Sequence, residues 1–386
     1  MHPTTDHTAP PADTAYKNAR ELVLRYGWNA TAFQIVNPGI TLYFDAEEDA
    51  VIGYVAKNGV RVVAGAPVCA ENVLENVIAR FENDAEKHGQ RVCYFGAAER
   101  VIHLLGNRPG YSSVILGAQP VWTPQNFVER VAASASLRQQ LARARSKRVR
   151  VREWQAHEAH EHPALSRVLA EWLETRTLPP MQFLVQPETL SRLTGRRIFV
   201  AEQSDAHASP HADAVPIGFV ILSPVAARNG WFTEQFVRGK NAPNGTIELL
   251  LASTVEAVAQ HGAEYLTMGL VPLARQTWGS HQFHPLWLRM ALQFVHRYGQ
   301  RFYNFDGLET FKSKFSPDAW ETVYAVSNED QFSPRTLYAI AHAFSHRSPF
   351  LSVAHGAWRA LRQEWQWLRK GKRKSIEWVI RFSFFE

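Results

Sequence analysis

A chain of 386 residues, 46% hydrophobic and 12% aromatic, exceeds one ordinary core of about 100–200 residues and excludes a chain disordered throughout. Only two cysteines occur, Cys69 and Cys93, each in an apolar stretch; this excludes a disulfide framework or a cysteine-built zinc site and fits a reducing compartment. Net charge is +6, yet residues 137–152 carry +7 and residues 358–386 carry +5, which leaves the rest at −6 and points to a polyanionic partner such as nucleic acid or anionic lipid.

Residues 1–15, rich in Pro, Thr and Asp, read as a disordered leader without the apolar core of a secretory signal. No run of about 18 apolar residues occurs, so no transmembrane helix is expected. A helix is expected from Tyr16 to Tyr26, stopped by Gly27. Strands follow at Ile40–Phe44, Ala50–Ala56 and Arg61–Ala66, then a helix over Ala70–His88, with Val73, Val77 and Phe81 at helical spacing, and a strand at Arg91–Phe95. The same order recurs with strands at Arg197–Ala201, Ile217–Leu222 and Trp231–Val237, a helix from Gly245 to His261, and a strand at Glu264–Met268.

Ile52-Gly53-Tyr54-Val55 and Ile217-Gly218-Phe219-Val220 occupy matching places, and both long helices end in His-Gly. An α/β unit of antiparallel strands, crossover helix and closing strand therefore occurs twice. This divides the chain into a leader (1–15), a first unit (16–136), a basic linking helix (137–152), a second unit with the site (153–330) and a helical, basic and aromatic tail (331–386). Arg301–Phe305 reads as a strand leading into Gly307–Trp320.

No Gly-x-Gly-x-x-Gly after a strand, Walker loop, Gly-x-Ser-x-Gly elbow or His-Glu-x-x-His occurs. The cluster His157 to His162 reads as a solvated helix start before Pro163 rather than a metal site. More informative is Arg238-Gly239-Lys240-Asn241-Ala242-Pro243-Asn244-Gly245, between a strand and a helix. There unpaired N–H groups and two cations suit an anion, Gly245 admits close backbone approach, Asn244 is placed to cap the helix, and Glu248 falls in its first turn. The second constellation is Tyr303 to Phe315, in which Phe311, Lys312, Lys314 and Phe315 suit either stacking beside phosphates or plain core packing with solvated lysines.

The runs Asn241–Glu248, Met268-Gly269-Leu270-Val271-Pro272-Leu273 and Tyr303-Asn304-Phe305-Asp306-Gly307-Leu308 through Phe311-Lys312-Ser313-Lys314-Phe315 resemble successive motifs of the catalytic domain of phosphatidylglycerol lysyltransferases of the multiple-peptide-resistance type. Gly27–Gly39 and Val62–Pro67 resemble that domain's first half, and Glu171-Trp172 with Met181-Gln182-Phe183 its middle. The resemblance spans Tyr16 to Val326.

It implies an α/β (α+β) fold of two tandem acyltransferase units of the N-acetyltransferase (GNAT-like) type. The implied activity is transfer of an amino acid from aminoacyl-tRNA to a hydroxyl of a membrane lipid, usually phosphatidylglycerol. No cofactor or metal is expected, because transfer between two esters needs neither. Such a reaction requires a base and cationic or N–H donors for the oxyanion and lipid phosphate. Glu234 or Glu248 is the candidate base, and Arg238 and Lys314 complete the candidate catalytic set. Met181, Phe183, Asn244, Gly245, Pro272, Asp306, Gly307, Phe311 and Lys312 are expected at the substrate, and Arg143, Arg145, Lys147 and Arg148 on tRNA. The tail is expected to hold the protein peripherally on anionic lipid at the inner face of the cytoplasmic membrane. An acyl-CoA-dependent N-acyltransferase and a non-catalytic nucleic-acid or membrane adaptor are the alternatives.

Overall fold

Residues 12–176, 182–186, 188–204, 214–277, 287 and 305–345 are described in the computed structural model. Their strands are β1 (Thr41–Phe44), β2 (Val51–Lys57), β3 (Val60–Ala64), β4 (Arg91–Ala97), β5 (Ser112–Trp122), β6 (Val149–Trp154), β7 (Arg197–Gln203), β8 (Val215–Val225), β9 (Gly230–Arg238), β10 (Tyr265–Thr267), β11 (Val271–Pro272) and β12 (Ala319–Ser327). The helices are α1 (Ala12–Tyr26), α2 (Leu74–Lys87), α3 (Glu99–Leu105), α4 (Pro124–Ala133), α5 (Ala135–Ser146), α6 (Ala156–Ala159), α7 (Pro163–Glu174), α8 (Thr246–Gln260), α9 (Phe305–Ser313) and α10 (Pro334–Ala343).

All strands join in one sheet, in the order β1-β2-β3-β4-β12-β5-β10-β9-β8-β7-β6, with β11 paired to β5. Among the described strands the parallel pairs are β3 with β4 and β9 with β10. Parallel neighbours need a crossover, and α2 and α8 supply it in turn. Gly53 and Gly218 lie on corresponding strands, each antiparallel to the first strand of its parallel pair. After each crossover helix a histidine, His88 or His261, places its Nδ1 2.7 Å from the carbonyl four residues back. The repeat read from the sequence is thus present in the topology.

The two halves share strands. β12 lies between β4 and β5, and β5 bonds β10 as well. A place inside the sheet leaves β3 buried at every residue, which is why Val60-Arg61-Val62-Val63-Ala64 is apolar at every position but Arg61. Arg61 enters that core only because Asp84 and Gln90 accept from its guanidinium at 2.6 and 2.7 Å. Helices cover both faces of each half: α1 and α10 oppose α2 and α3, while α4, α5 and α8 oppose α7.

Several expectations need correction. α1 starts at Ala12, so the leader is shorter than 15 residues. The linking segment 137–152 is not one helix. α5 stops at Ser146, Arg148 takes a left-handed φ of 59°, and β6 begins at Val149, whose β-branched alternation with Val151 fits a strand. Phe305 opens α9 rather than ending a strand, and residues 301–304 lie outside the described ones. In the tail, α10 packs on β2 and β3 with Ala339, Ile340 and Ala343 buried, so residues 334–343 belong to the body. Burying Ile340 alone stabilises by about 1.5–3 kcal/mol. The basic, Trp-rich stretch beyond residue 345 lies outside the described residues, as does Met181.

Candidate active site

The sheet opens in its second half. β10 follows β9 for three residues, Tyr265–Thr267 against Gly230–Phe232, whereas β3 and β4 stay paired for five. After Thr267 the chain turns at Gly269 into β11, which crosses to β5. Gly117 permits that crossing, since a Cβ there would stand 2.1 Å from the Val271 carbonyl oxygen. Among the described residues no strand pairs with β9 past Phe232 on its β10 side. The wedge between Thr233–Arg238 and residues 268–272 is the candidate active site.

One wall of the wedge is braced by α9. Asp306, Glu309 and Lys312, three residues apart, share a helix face. Asp306 pairs with Arg275 at 3.3 Å, and Glu309 accepts from the Arg275 backbone N–H at 3.3 Å. Lys312 Nζ donates to the carbonyls of Met268, Gly269 and Leu270 at 2.7, 2.8 and 3.3 Å. Lys312 is 3% exposed, and burial pulls its pKa down to about 7. The expected lysine beside a phosphate is instead a buried clamp with all three protons engaged. Gly307 is a residue of the same helix, and Pro272 sits in β11 opposite Gly117. Phe311 packs between Phe236 and Phe315, at 6.1 and 5.5 Å between ring centroids, which is the core-packing reading of this aromatic pair.

The other wall carries Glu234. Residues Gln235 and Thr233 pair with Ile221 and Leu222, so Glu234 is the extra residue of a β-bulge. Its Oε1 accepts from Arg196 Nε at 2.6 Å and from the Ser223 hydroxyl. Arg196 also bonds Asn37 Oδ1, and Asn37 Nδ2 donates to the Phe183 carbonyl at 3.2 Å. Phe183 is buried, holds a φ of 64° and meets Phe344 edge-on at 5.2 Å. Gln34, Asn37, Arg196 and Ser223 escaped the sequence reading; the sign of them was polar residues interrupting apolar runs, as in Phe33-Gln34-Ile35-Val36-Asn37.

The loop before α8 is closed upon itself. Arg238 Nη2 donates to the Ala242 carbonyl at 2.6 Å and to Asn244 Oδ1 at 3.4 Å. Asn244 therefore does not cap α8; Gly245 is the N-cap residue, with φ 89°. A Cβ on Gly245 would lie 2.1 Å from the Gln140 carbonyl oxygen, so this glycine admits α5 rather than a ligand. Lys240 Nζ binds Glu174 at 2.5 Å, which raises its pKa, and its backbone N–H binds Glu171 at 3.0 Å. Glu248 and Lys314 pair with each other at 2.8 Å beside Gln140, at the junction of α5, α8 and α9.

A second, partly buried network joins the halves. Arg228 grips Glu321 with two bonds of 3.0 and 2.6 Å, and Gln119 and Tyr265 donate to the same carboxylate. Burial pushes the Glu321 carboxyl upward, but Arg228 outweighs it and holds the pKa below the ordinary value.

The cations of the segment 137–152 are outward. Arg143, Arg145, Lys147, Arg148 and Arg150 are exposed, and a groove of about 610 Å³ is lined by Arg145, Arg148 and Arg150 with Ser204, Leu249 and Ser253. Among the described residues no cluster of His, Cys, Asp and Glu could hold a metal, and no helix is long and apolar enough to cross a membrane. His162 caps α7 through Nδ1, and Glu158 bonds Arg152.

The fold is shared with solved structures. It matches the C-terminal domain of an Agrobacterium fabrum protein assigned as a lysylphosphatidylglycerol synthetase, with a TM-score of 0.70 at 20% identity over 86% of this chain and 98% of that one. L-PGS from Bacillus licheniformis gives 0.68 at 18% identity over 88% and 98%, and a Bacteroides thetaiotaomicron protein of unknown function gives 0.51 at 11% over 85% and 99%. No curated protein sequence matches the chain. The model of the phosphatidylglycerol lysyltransferase C-terminal family matches residues 20–327, which span the wedge, its α9 brace and both repeats, and the chain belongs to that family.

Proposed function

We propose that this protein transfers an aminoacyl group from aminoacyl-tRNA to a hydroxyl of phosphatidylglycerol. The observation that carries the reading is the family match over residues 20–327, a span that includes both walls of the wedge in the sheet. The lipid hydroxyl attacks the ester carbonyl, a new ester C–O bond forms, and the bond to the tRNA ribose oxygen breaks; the hydroxyl proton passes to that leaving oxygen. Backbone groups of β9 beyond Phe232, where among the described residues no strand pairs on the β10 side, offer donors to the carbonyl oxygen as it gains charge.

Of the two candidate carboxylates, Glu234 stands at the wedge and Glu248 is braced by Lys314 at the α5 junction. The exposed arginines near the 610 Å³ groove suit tRNA phosphates. The start of α8, where an acyl-CoA enzyme would seat its pyrophosphate, is covered by Gln140, which favours the tRNA reading over that alternative. The basic, aromatic stretch 358–386 suits reversible attachment to an anionic bilayer.

The test is lipid extraction and mass spectrometry after expression in a host without aminoacyl lipids. An aminoacyl-phosphatidylglycerol that disappears with Glu234→Gln supports the reading; no new lipid in cells holding folded protein and charged tRNA refutes it. Deleting residues 369–386 should abolish co-sedimentation with anionic vesicles while leaving tRNA binding intact.

A further inference from the structure

The β9–β10 ladder ends at the pair Phe232 and Thr267; continued in register, it would next join Thr233 to Met268 and Glu234 to Gly269. On the β10 side the carbonyls are already engaged at that point. Thr233 Oγ1 donates to the Thr267 carbonyl at 3.2 Å, and Lys312 holds the three carbonyls that follow. Thr267 Oγ1 donates to the Pro120 carbonyl of β5 at 2.9 Å and accepts from the Gly269 backbone N–H at 3.1 Å. That hydroxyl therefore ties β10 to β5 and turns the chain away from β9. Thr233 and Thr267 are 1% and 0% exposed, so both hydroxyls depend on these backbone partners. The first half offers a contrast. The third pair of its parallel ladder is Val62 and Cys93, neither with a hydroxyl, and that ladder runs on through Val63–Tyr94 and Ala64–Phe95.

A threonine hydroxyl bonded to backbone competes with the ladder itself, while the β-branch keeps the residue at home in a strand. Thr233 is also the last residue before the bulge: it pairs with Leu222, and Glu234 is the extra residue after it. One hydroxyl thus sets both where the sheet parts and where the bulge carrying Glu234 begins. We propose that Thr233 and Thr267 are positioning residues that pin the apex of the wedge, so that the β9 backbone and the 268–270 turn stay apart by the width an aminoacyl ester needs. This assignment rests on the aminoacyl-transfer reading. The two threonines act through the backbone they hold, not by contact with the reacting atoms.

Steady-state kinetics of aminoacyl lipid formation, with charged tRNA and phosphatidylglycerol vesicles, tests the pin. Thr233→Val keeps the side chain's shape and removes its hydroxyl; kcat should fall by about tenfold or more while KM for either substrate moves by less than about twofold. Thr233→Ser, which keeps the hydroxyl, should bring kcat back to within about threefold of the wild type. Thr267→Val should show the same split and is the second variant should Thr233→Val fold poorly. Exchange of the Gly269 amide hydrogen, followed by mass spectrometry, reads the pin without turnover: it should quicken by about tenfold in Thr267→Val and return in Thr267→Ser. An unchanged kcat in both valine variants, a loss confined to KM, or serine variants as slow as their valine counterparts overturns the proposal. Wild-type protein that forms no aminoacyl lipid refutes the transfer reading instead, and Gly269 exchange then decides alone whether the hydroxyls hold the turn: quickened exchange in Thr267→Val supports the pin, and unchanged exchange overturns it.

Discussion

Lys314 Nζ lies 2.8 Å from Glu248 Oε1, so two residues singled out separately as reactive are each other's partner. Their side chains are 26% and 15% exposed, which places the pair between a solvated surface bridge and a buried one. Lys314→Met and Glu248→Gln should each lower unfolding free energy by about 1–2 kcal/mol, and the double variant should lose less than the sum, with a coupling of about 0.5–1 kcal/mol. Urea denaturation of the four proteins measures this. Additive losses would show that the pair carries no stability.

Gly245→Ala should be among the most damaging small substitutions in the second half. A methyl group would meet the Gln140 carbonyl oxygen at 2.1 Å while the backbone holds φ at 89°. A loss above about 2 kcal/mol is expected, since strain in the left-handed region and a clash with backbone act together. Asn244→Ala, which leaves the N-cap in place, should cost well under half as much.

Lys312 makes stability depend on pH. Its folded pKa, near 7, lies below lysine's ordinary 10.5, so between those values the unfolded chain binds a proton that the folded chain lacks. Stability from this group therefore rises with pH across that window, by up to about 1.4 kcal/mol per unit, and is flat below it. Lys312→Met removes the titration. The wild-type advantage over Lys312→Met should grow from pH 7 to pH 10 in denaturation series, and a constant difference would refute the shift.

The cationic groove should act through salt. Replacing Arg143, Arg145 and Arg148 by Gln should flatten the slope of log tRNA affinity against log salt by about 2–3 units if each meets one phosphate. Filter-binding titrations over a salt series give the slope directly, and an unchanged slope rejects these residues as phosphate contacts.

Local pattern made the crossover helices and the strands around them legible, because Val73, Val77 and Phe81 state a helix face and the short apolar run Ile198–Ala201 states a buried strand. The segment 137–152 misled because helix-forming residues and charge continue past Ser146, while the contrary sign, Val149 alternating with Val151, is two residues deep. β5 was hidden by Gly117 and Pro120, which punctuate a sequence but here serve a crossing of β11 and a strand between two others. At the site, the motifs carrying Glu234, Lys312 and Lys314 were visible, but their partners were not. Lys312 is held by carbonyls 42 to 44 positions away, and the bond from Gln34 to Ser223 joins residues 189 positions apart. No local pattern encodes such a meeting.

The position of β12 bears on how the protein is made. Its residues, 319–327, fill the gap between β4 and β5, which are complete by residue 122. During synthesis those two strands must wait through about two hundred residues with facing edges bare, and at about 5–20 residues per second that interval lasts some ten to forty seconds. Bare edges recruit other strands, so the nascent first half is the stage at which this chain is exposed to misassembly and to chaperones.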